Sequence, residues 1–212
     1  TIATWDKSAP LVVIASVRAA LQPIAANLLE IDPVVVRNKS RGHDLRSISA
    51  QLVDLAYTRV DMVARRGEFA VRGGILDVFA PSAEHPHRID FFGDEVDSIR
   101  AFSVADQRTL HGESATAAGA DELGRVKSLQ IFPARELLIT PDVANRARQM
   151  LHEFPNISTM LAKIAEGMPV EGMESLAPVL TDSMVSFAEY LPTDSLVLLL
   201  SPEKSAARAA SL

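Results

Sequence analysis

Two hydrophobic patterns alternate along this chain. At Leu11–Ala15 (LVVIA) and Leu196–Leu200 (LVLLL) apolar residues run without interruption, as they do in strands covered on both faces of a parallel sheet. In the middle of the chain, at Glu68–Arg72 and Arg88–Phe92, apolar and polar residues alternate instead, the period of half-exposed antiparallel strands. The change of pattern predicts an α/β fold. A partial parallel-sheet domain built from the two chain ends is interrupted by an α+β insertion with antiparallel hairpins. The expected units are 1–31, the end of the first half of the α/β domain; 32–110, the insertion; 111–124, a linker; and 125–212, the second half.

Within the insertion, Pro33–Arg37 (PVVVR) predicts a short strand. Leu45, Ile48, Leu52 and Leu55 recur at spacings of three and four, which predicts a helix near Asp44–Leu55 with those residues on one face. Two hairpins follow. The first turns on Gly73-Gly74, which supplies the positive φ of a two-residue turn; the second turns at Gly93-Asp94-Glu95 into Val96–Phe102. Residues Ala105–Gly124 are rich in small and acidic residues without period and read as a linker. After it, Thr140-Pro141-Asp142 is a helix start: Thr caps, Pro takes the first position, and Asp suits the positive end of the dipole. Val143, Ala147, Met150, Leu151 and Phe154 form the expected apolar face of that helix, and Ser158 is expected to cap a shorter one. Met160, Met168 and Met173 read as core fillers.

Alternation assigns faces in the hairpins. Phe69 and Val71 share one side of their strand, and Glu68, Ala70 and Arg72 the other. Ile89 and Phe91 share one side, leaving Arg88, Asp90 and Phe92 opposite. Adjacent phenylalanines cannot both enter one core, so Phe92 stands outside if Ile89 and Phe91 are inside, unless the Asp44–Leu55 helix covers that face instead. An exposed Phe framed by Arg72 and Arg88 has the composition of an interface centre.

Charge supports the same emphasis. The net charge of −6 argues against broad nucleic-acid binding, which needs clustered Lys and Arg. From Asp32 to Leu110 there are eleven basic and twelve acidic side chains, and every basic one but Lys39 is arginine, the residue suited to planar interfacial pairing. From His111 onward there are eight basic and thirteen acidic side chains. The absence of cysteine removes disulfides, thiolate nucleophiles and cysteine zinc sites and fits a cytoplasmic protein. No apolar run approaches the roughly 20 residues of a membrane span, and no secretory signal is present. A chain beginning at Thr1, with an apolar run so soon after it, reads as a fragment of something longer.

Catalytic motifs are missing. There is no GxxxxGK[ST] phosphate loop, GxSxG elbow or HExxH pair, so no catalytic, cofactor-binding or metal-binding residue is assigned. His85 and His87 flank Pro86 and suggest a loop tip. Asp94, Glu95 and Asp97 read as solvated turn residues.

The segments GEFAVRGGILDVF at Gly67–Phe79 and RIDFFGDEVDSI at Arg88–Ile99 resemble the UvrB homology region of bacterial excision-repair proteins. LVVIASV near the start, SLQIFPARELLITP at Ser128–Pro141 and SFAEYLPTDSLVLLL at Ser186–Leu200 extend the resemblance over nearly the whole chain. Two branches of that family compete: UvrB, a damage-binding helicase-like ATPase, and the transcription-repair coupling factors, which carry a UvrB-like module without its ATPase. Where UvrB has a DExH acidic motif, this chain has Leu198-Leu199-Leu200-Ser201-Pro202-Glu203-Lys204. Asp106–Leu110 (DQRTL) and Glu171–Leu180 (EGMESLAPVL) also resemble the coupling factors, which are the branch expected here. Ala80 departs from the family pattern, which places Pro directly after the Phe79 position.

The resemblance implies an insertion domain that binds UvrA, with the UvrA-contacting positions falling on Arg72, Arg88 and Phe92. It also implies an RNA-polymerase-binding domain and an ATP- and magnesium-dependent DNA translocase in parts of the protein outside these residues. The alternatives are a UvrB fragment whose nucleotide site needs residues before Thr1, and a packing module with no outside partner.

Overall fold

The computed structural model describes residues 10–26, 28, 31–117 and 119–211. In chain order its elements are α1 (Val17–Leu21), β1 (Ile24–Ala25), β2 (Val34–Arg37), α2 (Leu45–Asp54), β3 (Thr58–Arg59), β4 (Glu68–Arg72), β5 (Ile75–Val78), β6 (His87–Phe92), β7 (Glu95–Ala101), α3 (Gly112–Ala117), β8 (Ser128–Ile131), α4 (Pro141–Met150), α5 (Ser158–Ala165), α6 (Ala177–Leu180), β9 (Met184–Val185) and α7 (Pro202–Ala209). The fold is mixed α/β, with the expected antiparallel hairpins at its centre.

Strands β3 to β7 form one five-stranded sheet in sequence order. The β3–β4 pair is parallel, and the other three pairs are antiparallel. Both hairpins close on two residues. Arg72 pairs with Ile75 and Phe92 with Glu95, and the first turn residue of each, Gly73 or Gly93, has φ near +60°, the II′ pattern that matches strand twist. Gly74 is required for another reason: a Cβ there would lie 2.9 Å from the Phe91 carbonyl oxygen. Its own carbonyl accepts the Phe91 N–H at 2.8 Å, so the β4–β5 turn is pressed against β6.

Helix α2 forms as the pattern predicts. The Asp44 carboxylate accepts from the N–H groups of Arg46 and Ser47, satisfying two of the helix's free donors. Its buried face, Ile48 and Leu52, packs with Leu55 onto Phe69, Leu76, Val78, Ile89, Val96 and Ile99 of the sheet. Strand β2 pairs with β8 and adds Val36, Leu129 and Ile131 to the same core. The core around the insertion therefore draws on residues on both sides of the segment between Ala105 and Gly124. That segment carries α3 and buries Ala115 and Ala120 against Ala101.

A second core joins Leu137, Val143 and Ala147 to Leu161, Ile164, Met173, Ala177 and Leu180. Thr140 caps α4 by accepting from the Val143 N–H, with Pro141 first in the helix. Four details differ from expectation. Phe154 and Met168 are both partly exposed and lie outside the buried core, whereas Met173 is fully buried. Ser158 is the first residue of α5 rather than its cap, because a one-turn helix at Pro155–Ile157 leads straight into it; its hydroxyl donates back to the Pro155 carbonyl. Pro86 and His87 are buried and His87 opens β6, so no loop tip forms there.

The chain ends meet. β1 pairs antiparallel with β9, the Tyr190 hydroxyl donates to the Ala25 carbonyl at 2.8 Å, and α1 lies beside α7. The two apolar runs, however, are not strands. Leu11–Ala15 and Leu196–Leu200 form no strand, pair with no strand among the described residues and are exposed, with Ile14 at 93% and Leu196 at 85%. The parallel sheet expected from them is absent among the described residues. A continuous apolar run reports what a strand would tolerate on both faces, not that neighbours stand beside it.

Candidate protein-binding site

The two faces of the five-stranded sheet are unlike. The inner face is closed by α2. On the outer face, strand pairing sets Asp77 opposite Ala70 on one side and Arg88 on the other, with Arg100 opposite Arg88 on the next strand. The adjacent row runs from Arg72 through Ile75 and Asp90 to Ser98. Three arginines and two aspartates thus share one surface, with one positive charge in excess.

These groups are ordered by mutual hydrogen bonds. The Asp77 side chain is 1% exposed and is gripped from two directions. Arg88 donates through Nε to Oδ1 at 2.7 Å and through Nη2 to Oδ2 at 2.8 Å, a bidentate pair. Arg72, reaching diagonally, donates through Nη2 to Oδ2 at 2.6 Å. Arg88 also donates through Nη1 to the Gln107 carbonyl at 3.3 Å and stacks 4.7 Å from the centre of the Phe102 ring, a favourable cation–π contact. Hydrogen bonding to Asp77 raises the Arg88 pKa further above its already high ordinary value, against the cost of burial. Next to this cluster, Arg100 donates to Asp90 at 2.5 Å and Ser98 to the same oxygen at 2.6 Å. Burial pushes the Asp90 carboxyl up, but those two bonds and the charges of Arg100 and Arg88 hold it below the usual carboxylate range.

Phe92 lies four residues beyond Arg88, about 13 Å along β6. It is 84% exposed. Phe91 faces the other way and packs against the α2 core. This alternation survives a bulge in the partner strand, where Asp90 pairs with Ser98 and Phe91 with Val96. Asp97 is the extra residue, so β6 itself stays regular. The coverage of Phe92 by α2 weighed above does not occur: α2 is on the Ile89 side.

The hairpin tip carries its own ion pairs, Arg41 with Glu95 at 2.9 Å and Lys39 with Asp97 at 2.6 Å. Both lie at the surface, where such pairs contribute little. At the other end of the outer face a loop covers Val63, Ala70, Phe79 and Phe102. Gln107 holds it there: with φ at +61°, it donates from Nε2 to the carbonyls of Val63 and Val104 while its own carbonyl receives Arg88. Beside Arg72 a shallow depression is lined by Arg59, Val60, Asp61 and Val71.

Of the residues singled out from the sequence, Arg72 and Arg88 meet on one carboxylate, and Phe92 stands apart on the same face. Asp77 and Gln107 were missed. The register of a two-residue Gly73-Gly74 turn would have placed Asp77 on the face of Arg72, but nothing local marks Gln107. Among the described residues no cluster of three or more His, Asp or Glu side chains is arranged to hold a metal ion, and no helix is long and apolar enough to cross a membrane.

An exposed aromatic on the same surface as hydrogen-bonded arginines has the composition of a protein-contact face. Residues 38–119 match the family described as the UvrB interaction domain. The chain is 45% identical over 210 residues to the transcription-repair-coupling factor of Mycobacterium tuberculosis (strain CDC 1551 / Oshkosh), which covers 95% of this chain and 16% of that protein. It is 31% identical over 204 residues to that of Bacillus subtilis (strain 168), covering 84% of this chain and 16% of the relative. Similarity to the UvrABC system protein B of Listeria monocytogenes serotype 4b (strain F2365) is shorter, 37% over 98 residues and 46% of this chain. The chain thus spans only 16% of the length of the first two relatives. The chain is a UvrB-homology module of the transcription-repair-coupling-factor family, within which residues 38–119 match the UvrB interaction domain.

Proposed function

We propose that this chain recruits UvrA, linking stalled RNA polymerase to nucleotide excision repair, and that Arg72, Arg88 and Phe92 mark the face that does so. The observation that carries the reading is the position of Phe92. A large aromatic at 84% exposure, on the same face as an arginine cluster in the segment that matches the UvrB interaction domain, offers a partner an apolar anchor with charged groups farther along the strand. Arginine–carboxylate or arginine–carbonyl bonds would set the register, and burial of the ring would exclude water. In this reading RNA polymerase and DNA are engaged, and ATP and magnesium used, by parts of a longer cytoplasmic protein outside these 212 residues.

Fluorescence anisotropy of the labelled chain titrated with UvrA tests this. Saturable binding is expected, and unlabelled UvrB should compete because it presents a related domain. Absence of saturable binding, or binding that excess UvrB leaves untouched, would contradict the proposal.

A further inference from the structure

We infer that Asp77 is a positioning residue for Arg72, and that Arg88 belongs to the mount of this site rather than to its contact surface. The inference rests on the UvrA-binding reading and assigns different duties within that face.

The two arginines are not equivalent. All three nitrogens of Arg88 are engaged: Nε and Nη2 on Asp77, Nη1 on the Gln107 carbonyl. Its guanidinium lies over Phe102, and its side chain is only 21% exposed. Meeting a partner would require it to abandon a buried carboxylate, and an unpaired buried charge is costly. Arg72 is half-spent. It makes one hydrogen bond, from Nη2 to Asp77, and its side chain is 50% exposed. Nε and Nη1 have no partner among the described residues, so two of its three nitrogens remain for an incoming acceptor.

Asp77 connects the two. Its Oδ2 accepts from both guanidiniums, and it is itself immobilised in β5 between β4 and β6. Holding Arg72 by one nitrogen removes rotamer freedom that a free arginine would lose on binding. One carboxylate shared by two guanidiniums also leaves a single positive charge, and Arg72 is where solvent meets it. The acceptor this arrangement fits is a carboxylate or backbone carbonyl of the partner, placed so that the Phe92 ring is covered at the same time.

A purely structural Asp77 would affect binding by loosening the sheet, whatever stands at position 72. A positioning Asp77 acts only through Arg72. A double-mutant cycle separates the two. UvrA affinity would be measured for the 212-residue chain as wild type, Arg72→Ala, Asp77→Asn and the double variant, at a temperature where melting curves show all four folded. We expect Arg72→Ala to weaken binding roughly tenfold or more. Asp77→Asn should weaken it severalfold with Arg72 present and not at all in the Arg72→Ala background. Should Asp77→Asn fail to fold, Arg88→Lys takes its place, since it keeps a cation opposite Asp77 but breaks the bidentate grip; its effect should likewise vanish in the Arg72→Ala background. Equal losses in both backgrounds, or unchanged affinity on Arg72→Ala, would overturn the inference. Loss of binding on Phe92→Ala in that event would show the inference failing while the binding face stands; no UvrA binding by the wild-type chain would fail both.

Discussion

At the residue scale, the outer face joins groups that differ in what their removal costs. Arg88 and Arg72 touch the same carboxylate, yet Arg88→Ala strips a buried charge of its bidentate partner and should cost about 3 kcal/mol, toward the low end for breaking a buried pair because Arg72 still faces Asp77. Arg72→Ala, at a half-exposed position, should cost under about 1 kcal/mol. Chemical denaturation of both variants checks the order. The reverse ranking would contradict the geometry.

His87 adds a pH dependence. Burial, with some repulsion from His85, lowers its pKa from 6.5 to about 4. The fold therefore contains the neutral ring, while the unfolded chain takes up a proton below about pH 6.5. This contribution is complete above the unfolded pKa and is lost as pH falls toward about 4, on the order of 3 kcal/mol in all. His87→Leu should remove that part of the slope of stability against pH between about pH 6.5 and 4, and an unchanged slope would show that His87 does not carry it. Alternation set Phe92 opposite Phe91 on its strand but left open whether the Asp44–Leu55 helix covers it, and it offered Arg72 and Arg88 only as candidates for one face. It could not show that the arginines meet, because that depends on Asp77, whose place is set by a register two strands wide.

At the element scale, what proved legible was local chemistry. Asp44 and Thr140 start helices because their side chains satisfy free N–H groups, and Gly73 and Gly93 turn hairpins because they accept positive φ. Gly74→Ala tests the tightest of these contacts. A methyl group 2.9 Å from the Phe91 carbonyl would push the β4–β5 turn off β6, at a cost of about 2 kcal/mol. A stability equal to wild type would mean the turn has room to move. The elements that misled were those whose state depends on distant partners. Leu11–Ala15 and Leu196–Leu200 have strand composition without a strand beside them among the described residues. Ala105–Gly124 has linker composition, yet Ala115 and Ala120 are small enough to pack onto Ala101.

At the scale of the whole molecule, this last difference changes where the chain should be vulnerable. Limited proteolysis is expected to cut first in the exposed, unpaired stretch around Leu196–Leu200, before the packed turns between Ala105 and Gly124, as mass spectrometry of early fragments would reveal. First cleavage near Ala105–Gly124 would restore the linker reading. Because the sequence contains no phosphate loop and has Ser201-Pro202-Glu203 where UvrB carries its acidic motif, the 212 residues should neither bind nor hydrolyse ATP; saturable micromolar binding in a calorimetric titration would contradict this. Pairing of β1 with β9 and of β2 with β8 ties the early and late parts of the chain together.

The central claim is that this face binds UvrA through Phe92, and the most direct test is the affinity and stability of Phe92→Ala beside Phe91→Ala. Phe92→Ala should weaken UvrA binding roughly 30-fold, the loss of an interface anchor worth about 2 kcal/mol, while stability stays within about 0.5 kcal/mol of wild type. Phe91→Ala should instead cost about 2 kcal/mol of stability, less than a fully buried phenylalanine because its ring is only partly covered. Wild-type affinity in a folded Phe92→Ala chain would contradict the account.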